Sequence, residues 1–238
     1  MHRYFALIKE GEAVLSKEDA HHLIDVVRIK PGEKIEIVCA GEVFLGEICG
    51  IVPLSIKVLS KIEESRESDN EIVSAFAVLK GDHNDLIVEK GTELGAKSFL
   101  PFLGSRTIVK AEPHSEDTKI TRLRKIAKEA AQQCRRQIVP TVSSFQTFDD
   151  VMAFNADLKL FAYEEMAGQS ETLAESLKDL KKKQRILIVV GPEGGFTSEE
   201  VQKAKNNGFR FVSLGRRILR AETASIASLA IISAYSER

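Results

Sequence analysis

A chain of 238 residues, 43% apolar and 29% charged, has the composition of an ordinary folded soluble protein and buries a full core in one large or two modest domains. No stretch is long and uncharged enough to span a bilayer, and the opening MHRYFALIKEGEAV lacks the apolar core and cleavage pattern of a secretion signal, so a cytoplasmic, membrane-free protein is expected. The net charge of −1 says nothing direct about nucleic acid, whereas the distribution of that charge does. The three cysteines, Cys39, Cys49 and Cys134, are odd in number and widely spaced, which fits free buried thiols in a reducing compartment.

Up to about residue 70 the chain alternates short apolar bursts with turns. KEDAHHLIDVVRIKPGE reads as a short helix from Lys17, with His22, Val26 and Arg28 near its end. His21 and His22 are adjacent, but no cysteine or acidic set at a metal-binding spacing accompanies them. They are read as structural or RNA-facing, and no metal is expected. Pro31-Gly32 reverses the chain, and Ala40-Gly41-Glu42 is a hairpin turn within EKIEIVCAGEVFLGEI; VPLSIKVLSKIEES follows as a further strand. This region predicts a small, mostly β barrel, an architecture that often binds oligonucleotides, though only fold analogy makes that link.

After residue 70 strands and helices alternate. EIVSAFAVL is a strand, 82–94 a helix, 98–103 a short strand, and 119–135 a helix with an apolar stripe of Ile120, Leu123, Ile126, Ala127, Ala130 and Ala131. Residues 158–163 form a strand, 171–180 a helix, and 186–190 another strand. Such alternation predicts an α/β domain with a largely parallel sheet. No internal repeat or low-complexity segment is visible.

ILIVVGPEGGFTSEE, from Ile186 to Glu200, is the most informative stretch. An aliphatic strand stops at Gly191; Pro192 fixes one backbone angle, and Gly194 and Gly195 tolerate conformations that other residues resist. Thr197 and Glu200 form a capping box for the next helix. A tight turn at the carboxyl end of a buried strand lets a ligand approach the backbone, which points to a small-molecule site. No Lys-Ser or Lys-Thr follows the glycines, the spacing is not GxGxxG, and the strand near 209–214 ends in Leu214-Gly215 rather than an acidic residue. Walker-type and standard dinucleotide sites are therefore poor fits. SLGRRILRAETASIASLAIISAYSER adds a second glycine turn, then Arg216, Arg217, Arg220, Glu222 and Thr223, then an apolar helix over 223–236. Its small residues suit close packing on a sheet or a second subunit. Thr223 or Glu222, near its first turn, can meet a ligand.

Basic residues cluster at Lys119, Arg122, Arg124, Lys125, Lys128, Arg135 and Arg136, again at Lys181, Lys182, Lys183 and Arg185, and around 216–220. Glu63, Glu64, Glu67, Asp69 and Glu71 form an acidic stretch. Local positive faces suit a phosphate backbone; solvated helix faces are the alternative.

GPEGGF at 191–196 and LGRRILRAETA at 214–224, supported by HRYF at 2–5, HHLIDVVR at 21–28, KGTELGAKSFLPFLGSRT at 90–107 and AAQQCRRQIVP at 130–140, carry a resemblance that runs almost end to end. The chain resembles the RsmE family of 16S ribosomal RNA uracil-N3 methyltransferases, of the SPOUT superfamily. The resemblance implies a small PUA-like β-barrel RNA-binding domain at 1–70. An α/β SPOUT-type methyltransferase domain with a C-terminal trefoil knot would follow at 71–238. It implies S-adenosylmethionine held between Gly191, Glu193, Gly194 and Gly195 on one wall and Leu214, Gly215, Ile218 and Leu219 on the next, with Leu187 and Thr223 nearby. It also implies a homodimer acting on 16S rRNA in the small ribosomal subunit, gripped by Arg3, His22, Arg28, Arg106, Arg124 and Arg136. Arg135 stands where the family often has Gly, and His83 where it often has Lys; neither is expected to touch the glycine loops.

Methyl transfer to N3 requires removal of the uracil N3 proton. Arginine stays charged and cannot accept it, so Arg220 is read as a clamp on the developing negative oxygen. Glu222 is either the general base or an ion-pair partner that positions Arg220 or Arg217, and Thr223 is an orienting group. Three rivals remain. A ribose 2′-O-methyltransferase fits the RAETA motif less well, an RNA-binding module leaves two glycine turns without a role, and an NTPase lacks its lysine loop.

Overall fold

The computed structural model describes residues 1–108, 113–163, 165 and 171–237, with the side chains of 113–115 excepted. The chain forms two units, Met1–Glu67 with Ala131–Ile138, and Ser68–Ala130 with Val139–Arg238. The first crossing between them falls at Glu67–Ser68; the return of 131–138 to the first unit had no sequence signal.

The first unit is built on β1 (Arg3–Phe5), β2 (Leu7–Lys9), β3 (Glu12–Val14), β4 (Lys34–Cys39), β5 (Glu42–Ile51) and β6 (Leu54–Ile62), in the order β1-β4-β5-β6-β3-β2. The strands at the two ends of this order are consecutive in the chain, separated only by Ala6. The sheet therefore curls until its edges approach, which gives the barrel character. Ala40 and Gly41 close the β4–β5 hairpin with φ of 51° and 82°, the left-handed pair that a two-residue turn requires. Gly46 lies at a register shift in β5, where a Cβ would stand 2.3 Å from Ile37 Cδ1. Tyr4, Leu23, Ile35, Ile37, Ile48 and Ile56 fill the interior. Ser16 caps α1 (Lys17–His21), which runs on into a π-helical turn, His22–Val26. Tyr4 Oη lies 2.9 Å from His22 Nδ1, and burial, with the nearby Asp19 charge, pushes the phenol up to about 12.

Two arginines hold this unit from inside. Arg3 is buried, pairs with Glu36 at 2.8 Å and with Glu64, and donates to the carbonyl of Arg135. Arg136 is also buried and binds Glu67 through two bonds of 3.2 and 2.7 Å. No disulfide joins the three cysteines, and Cys49 is exposed and the other two half-buried, so the expectation of buried thiols fails.

The second unit contains β7 (Glu71–Ala77), α2 (His83–Glu93), β8 (Ser98–Leu103), α3 (Pro113–Gln133), β9 (Thr141–Val142), β10 (Gln146–Thr147) and α4 (Phe148–Ala153). It continues with β11 (Leu158–Ala162), α5 (Leu173–Ser176), β12 (Arg185–Val190), α6 (Ser198–Asn206), β13 (Arg210–Val212) and α7 (Ala221–Ser236). The strands lie in the order β10-β8-β7-β12-β11-β13, with β9 beside β8, and every pairing is parallel. Central β12 is covered on both faces. Ile186, Ile188 and Val190 enter one core, and Leu187 and Val189 the other. The helix expected over 171–180 is only the four residues of α5. Thr172 caps it in a full capping box, but the following residues turn away.

Helix α7 packs on α2, α5, β7 and β12. Gly91 permits the α2 contact, since a Cβ there would meet the Phe99 ring at 2.7 Å and Leu229 Cδ1 at 3.0 Å. Alanine raises intrinsic helix propensity by about 1 kcal/mol over glycine, whereas overpacking a closed core costs about 1–3 kcal/mol. Gly91→Ala is therefore expected to lower stability in urea unfolding, despite the better helix former.

Candidate cofactor and reaction site

Strands β11, β12 and β13 end level with one another: Ala162 pairs with Val190 on one side and with Val212 on the other. The segments leaving these three ends enclose a cavity of about 520 Å³, a size typical of small-molecule sites. The first wall is the turn after β12. Gly195 has φ of 67° and its N–H donates to Pro192 O at 2.9 Å. Gly191 must be glycine because a Cβ would stand 2.7 Å from the Phe196 ring, itself packed 4.2 Å from Phe161 between ring centroids.

The turn is anchored from below. Thr197 and Glu200 form the expected capping box of α6, and buried Glu200 has a second task, accepting from Ser105 N–H at 2.8 Å through Oε1. One carboxylate thus joins the loop after β8 to the glycine turn. Arg106 completes this junction by donating from Nη1 to Gly194 O at 2.9 Å.

The second wall follows β13. Gly215 has φ of 118°, a region that disfavours any side chain, and its surroundings are open on the Cβ side. Ser213 Oγ accepts from Gly215 N–H at 3.1 Å and steadies this bend. Leu214 and Leu219 rest on the core, whereas Ile218 is 78% exposed, an apolar side chain displayed at the cavity. Residues 214–220 take no regular structure, so their backbone groups are not committed to a ladder. Arg220 is the N-cap of α7 and its side chain makes no capping bond. Glu222, in the first turn, is 12% exposed and its Oε1 lies 3.7 Å from His83 Nδ1.

Of the residues expected to hold a cofactor, Gly191, Glu193, Gly195, Leu214, Gly215, Ile218 and Leu219 line the cavity, as do Arg220 and Glu222. Leu187 is buried in the core on the other side of the sheet, Gly194 packs against Arg106, and Thr223 is exposed outside the lining. Arg217, read from the sequence as a possible partner of Glu222, also lines the cavity; Tyr163, Ser213 and above all His83 were missed, the last having been placed away from the glycine loops. Among the residues expected to meet RNA, Arg28, Arg106 and Arg124 are exposed, with Arg124 Nε donating to Val142 O at 3.0 Å. His22 is exposed and joined to Tyr4. Arg3 and Arg136 are buried and paired with carboxylates, Arg3 also with the Arg135 carbonyl, and are corrected to structural residues. Among the described residues no group of three His, Cys, Asp or Glu is placed to hold a metal, and no helix is long and apolar enough to cross a membrane.

The fold and cavity are those of an RNA methyltransferase with a separate PUA-like unit. The RNA methyltransferase domain model matches residues 66–233, and the RNA methyltransferase PUA domain model matches 15–57. The ribosomal RNA small subunit methyltransferase E of Bacillus subtilis is 35% identical over an alignment 252 positions long, covering 100% of this chain and 98% of that protein. The Synechocystis protein of the same name is 32% identical and covers 97% and 75%. A Neisseria gonorrhoeae structure of this enzyme bound to S-adenosylmethionine superposes with a TM-score of 0.86 at 26% identity, covering 98% and 97%. A Legionella pneumophila putative methyltransferase, also with that cofactor, gives 0.87 at 27%, covering 98% and 96%. This chain belongs to the ribosomal RNA small subunit methyltransferase E family, with a SPOUT-type α/β domain and a separate PUA-like N-terminal domain.

Removing the Glu200 side chain leaves the Ser105 and Thr197 amides without their acceptor and breaks the reciprocal half of the α6 capping box, while the Thr197 hydroxyl still caps the helix. Glu200→Ala is expected to cost about 1–3 kcal/mol and to speed hydrogen exchange at both amides.

Proposed function

We propose that this protein transfers a methyl group from S-adenosylmethionine to N3 of a specific uridine in 16S rRNA, within the small ribosomal subunit. The observation that carries the reading is the cavity at three level strand ends, with two glycine walls, an apolar display and Arg220 beside Glu222. When bound, the cofactor supplies an electrophilic methyl on a sulfonium sulfur. The residues fit such a group. Gly215 leaves backbone open to close approach, Leu214, Ile218 and Leu219 offer apolar surface to an adenine, and no phosphate-gripping lysine loop is present. Gly191, Glu193 and Gly195 would hold it from the facing wall, with Gly194 shaping the turn through Arg106.

Arg220 stays cationic and stabilises negative charge on the uracil oxygens as N3 loses its proton. The base must leave its stack to enter the cavity. Exposed Arg28, Arg106 and Arg124 then suit contacts to phosphates, which position RNA without reading it. In this reading the β unit within 1–70 binds RNA, the 71–238 region carries the reaction and the family's trefoil knot, and the protein acts in the cytoplasm as a homodimer. Ile218, 78% exposed, supplies apolar surface that a ligand or a second subunit covers.

The test is to incubate the protein with labelled S-adenosylmethionine and small subunits lacking N3-methyluridine, then digest the RNA and identify the labelled nucleoside by mass spectrometry. Label in N3-methyluridine is expected; label in another nucleoside refutes the assigned atom. Arg220→Ala is expected to lower turnover by roughly 100-fold or more while the cofactor dissociation constant stays near wild type. Equal losses would assign Arg220 to binding.

A further inference from the structure

Two titratable side chains meet inside the reaction cavity, each from the start of a helix. His83 is the first residue of α2, Glu222 lies in the first turn of α7, and the two helices pack together. His83 Nδ1 stands 3.7 Å from Glu222 Oε1, and both residues line the cavity. Glu222 is 12% exposed and His83 47%, so the carboxylate is the inner partner and the imidazole the one a substrate can reach. The gap exceeds a hydrogen bond, as is common in catalytic pairs before substrate closes over them. A carboxylate beside Nδ1 selects the tautomer with hydrogen on that nitrogen and leaves Nε2 as the basic atom.

Resting on the methyl-transfer reading above, we infer that His83 accepts the uracil N3 proton and that Glu222 is its positioning residue. The N3–H proton passes to His83 Nε2, and the electron pair left on N3 forms the N–CH₃ bond. The pair of the broken S–CH₃ bond stays on sulfur, and the imidazolium returns its proton to solvent. Free carboxylates titrate near about 4 and imidazoles near about 6.5, so imidazole is the better match to a weakly acidic imide. The other charged groups around His83 do not compete for this role. Asp82 and Asp85 on α2 are engaged by Arg122 of α3, and Arg217 and Arg220 from the second glycine turn stay cationic. Lys80 precedes α2, and Glu193 borders the cavity from the first turn. Glu222 is the acid that His83 pairs with.

The experiment follows single-turnover methylation against pH with the full chain, unmodified small subunits and labelled cofactor. His83→Gln is expected to slow transfer about 100-fold or more, with a residual rate that climbs with pH as the uracil ionises unaided. Cofactor and RNA dissociation constants should remain near wild type, and added imidazole should restore part of the rate to His83→Gly. A wild-type rate and pH profile in His83→Gln overturns the assignment, and so does a loss matched by weaker cofactor or RNA binding. In parallel, NMR of the His83 ring in the protein alone should show its hydrogen on Nδ1, with the ring moving towards the Nε2–H tautomer in Glu222→Ala; an unchanged tautomer overturns the pairing. Absence of N3-methyluridine with the wild-type protein would instead bring down the functional reading beneath, while the NMR result still decides whether the two side chains are coupled.

Discussion

Because β11, β12 and β13 are parallel and in register, every chain segment leaving them must depart from the same edge of the sheet. That geometric requirement brings together turns that lie far apart in the chain, Gly191 to Phe196 and Ser213 to Arg220, without any need for them to contact in sequence. It also sets the rest of the architecture. A parallel sheet must be covered on both faces, so β12 divides its side chains between two cores, and helices lie over each. α7 lies over one face with α2, and α6 contributes Val201 and Ala204 to the other. The cavity is consequently bordered by helix starts and strand ends, where backbone polar groups are least committed to ladders.

Within that frame the carboxylate of Glu200 has a disproportionate role. It accepts from the Thr197 amide, completing the α6 capping box, and from the Ser105 amide, so the end of the first glycine turn and the loop after β8 are tied to one side chain. Arg106 adds a third bond to the same junction. The second turn is held more lightly, by Ser213 Oγ on Gly215 and by Leu214 and Leu219 on the core. The first wall is thus tied to its neighbours by more hydrogen bonds than the second.

Much of this was legible in the residues. The aliphatic run before Gly191, the Thr197–Glu200 spacing, the apolar stripe of α3 and the Ala40-Gly41 turn each obey a local rule, and local rules can be read from sequence. What escaped was set by tertiary contact. The helix expected to start at 119 begins at Pro113, and short β9, β10 and α4 carry too few residues for a period to show. Leu187 matches a strand next to the site, yet the two-residue alternation of β12 sends it to the far core. His83 entered the cavity only because α2 packs on α7, a contact that depends on Gly91 and Phe99.

Charge was the least legible property, because an arginine in a sequence does not declare whether it faces water or a carboxylate. Arg3 and Arg136 look like members of a basic face and are instead neutralised by Glu36, Glu64 and Glu67, residues of the acidic stretch and of β4. Arg135 between them stands in a conformation that glycine adopts without steric cost. Its φ is 61°, a left-handed conformation that costs a side-chain-bearing residue about 1 kcal/mol. Its carbonyl, not its side chain, receives the Arg3 guanidinium, while its own guanidinium lies 3.8 Å from Glu36. The backbone at 135 therefore does the structural work whichever residue stands there. The contact from Arg3 passes through the peptide group at 135 and does not depend on the side chain there.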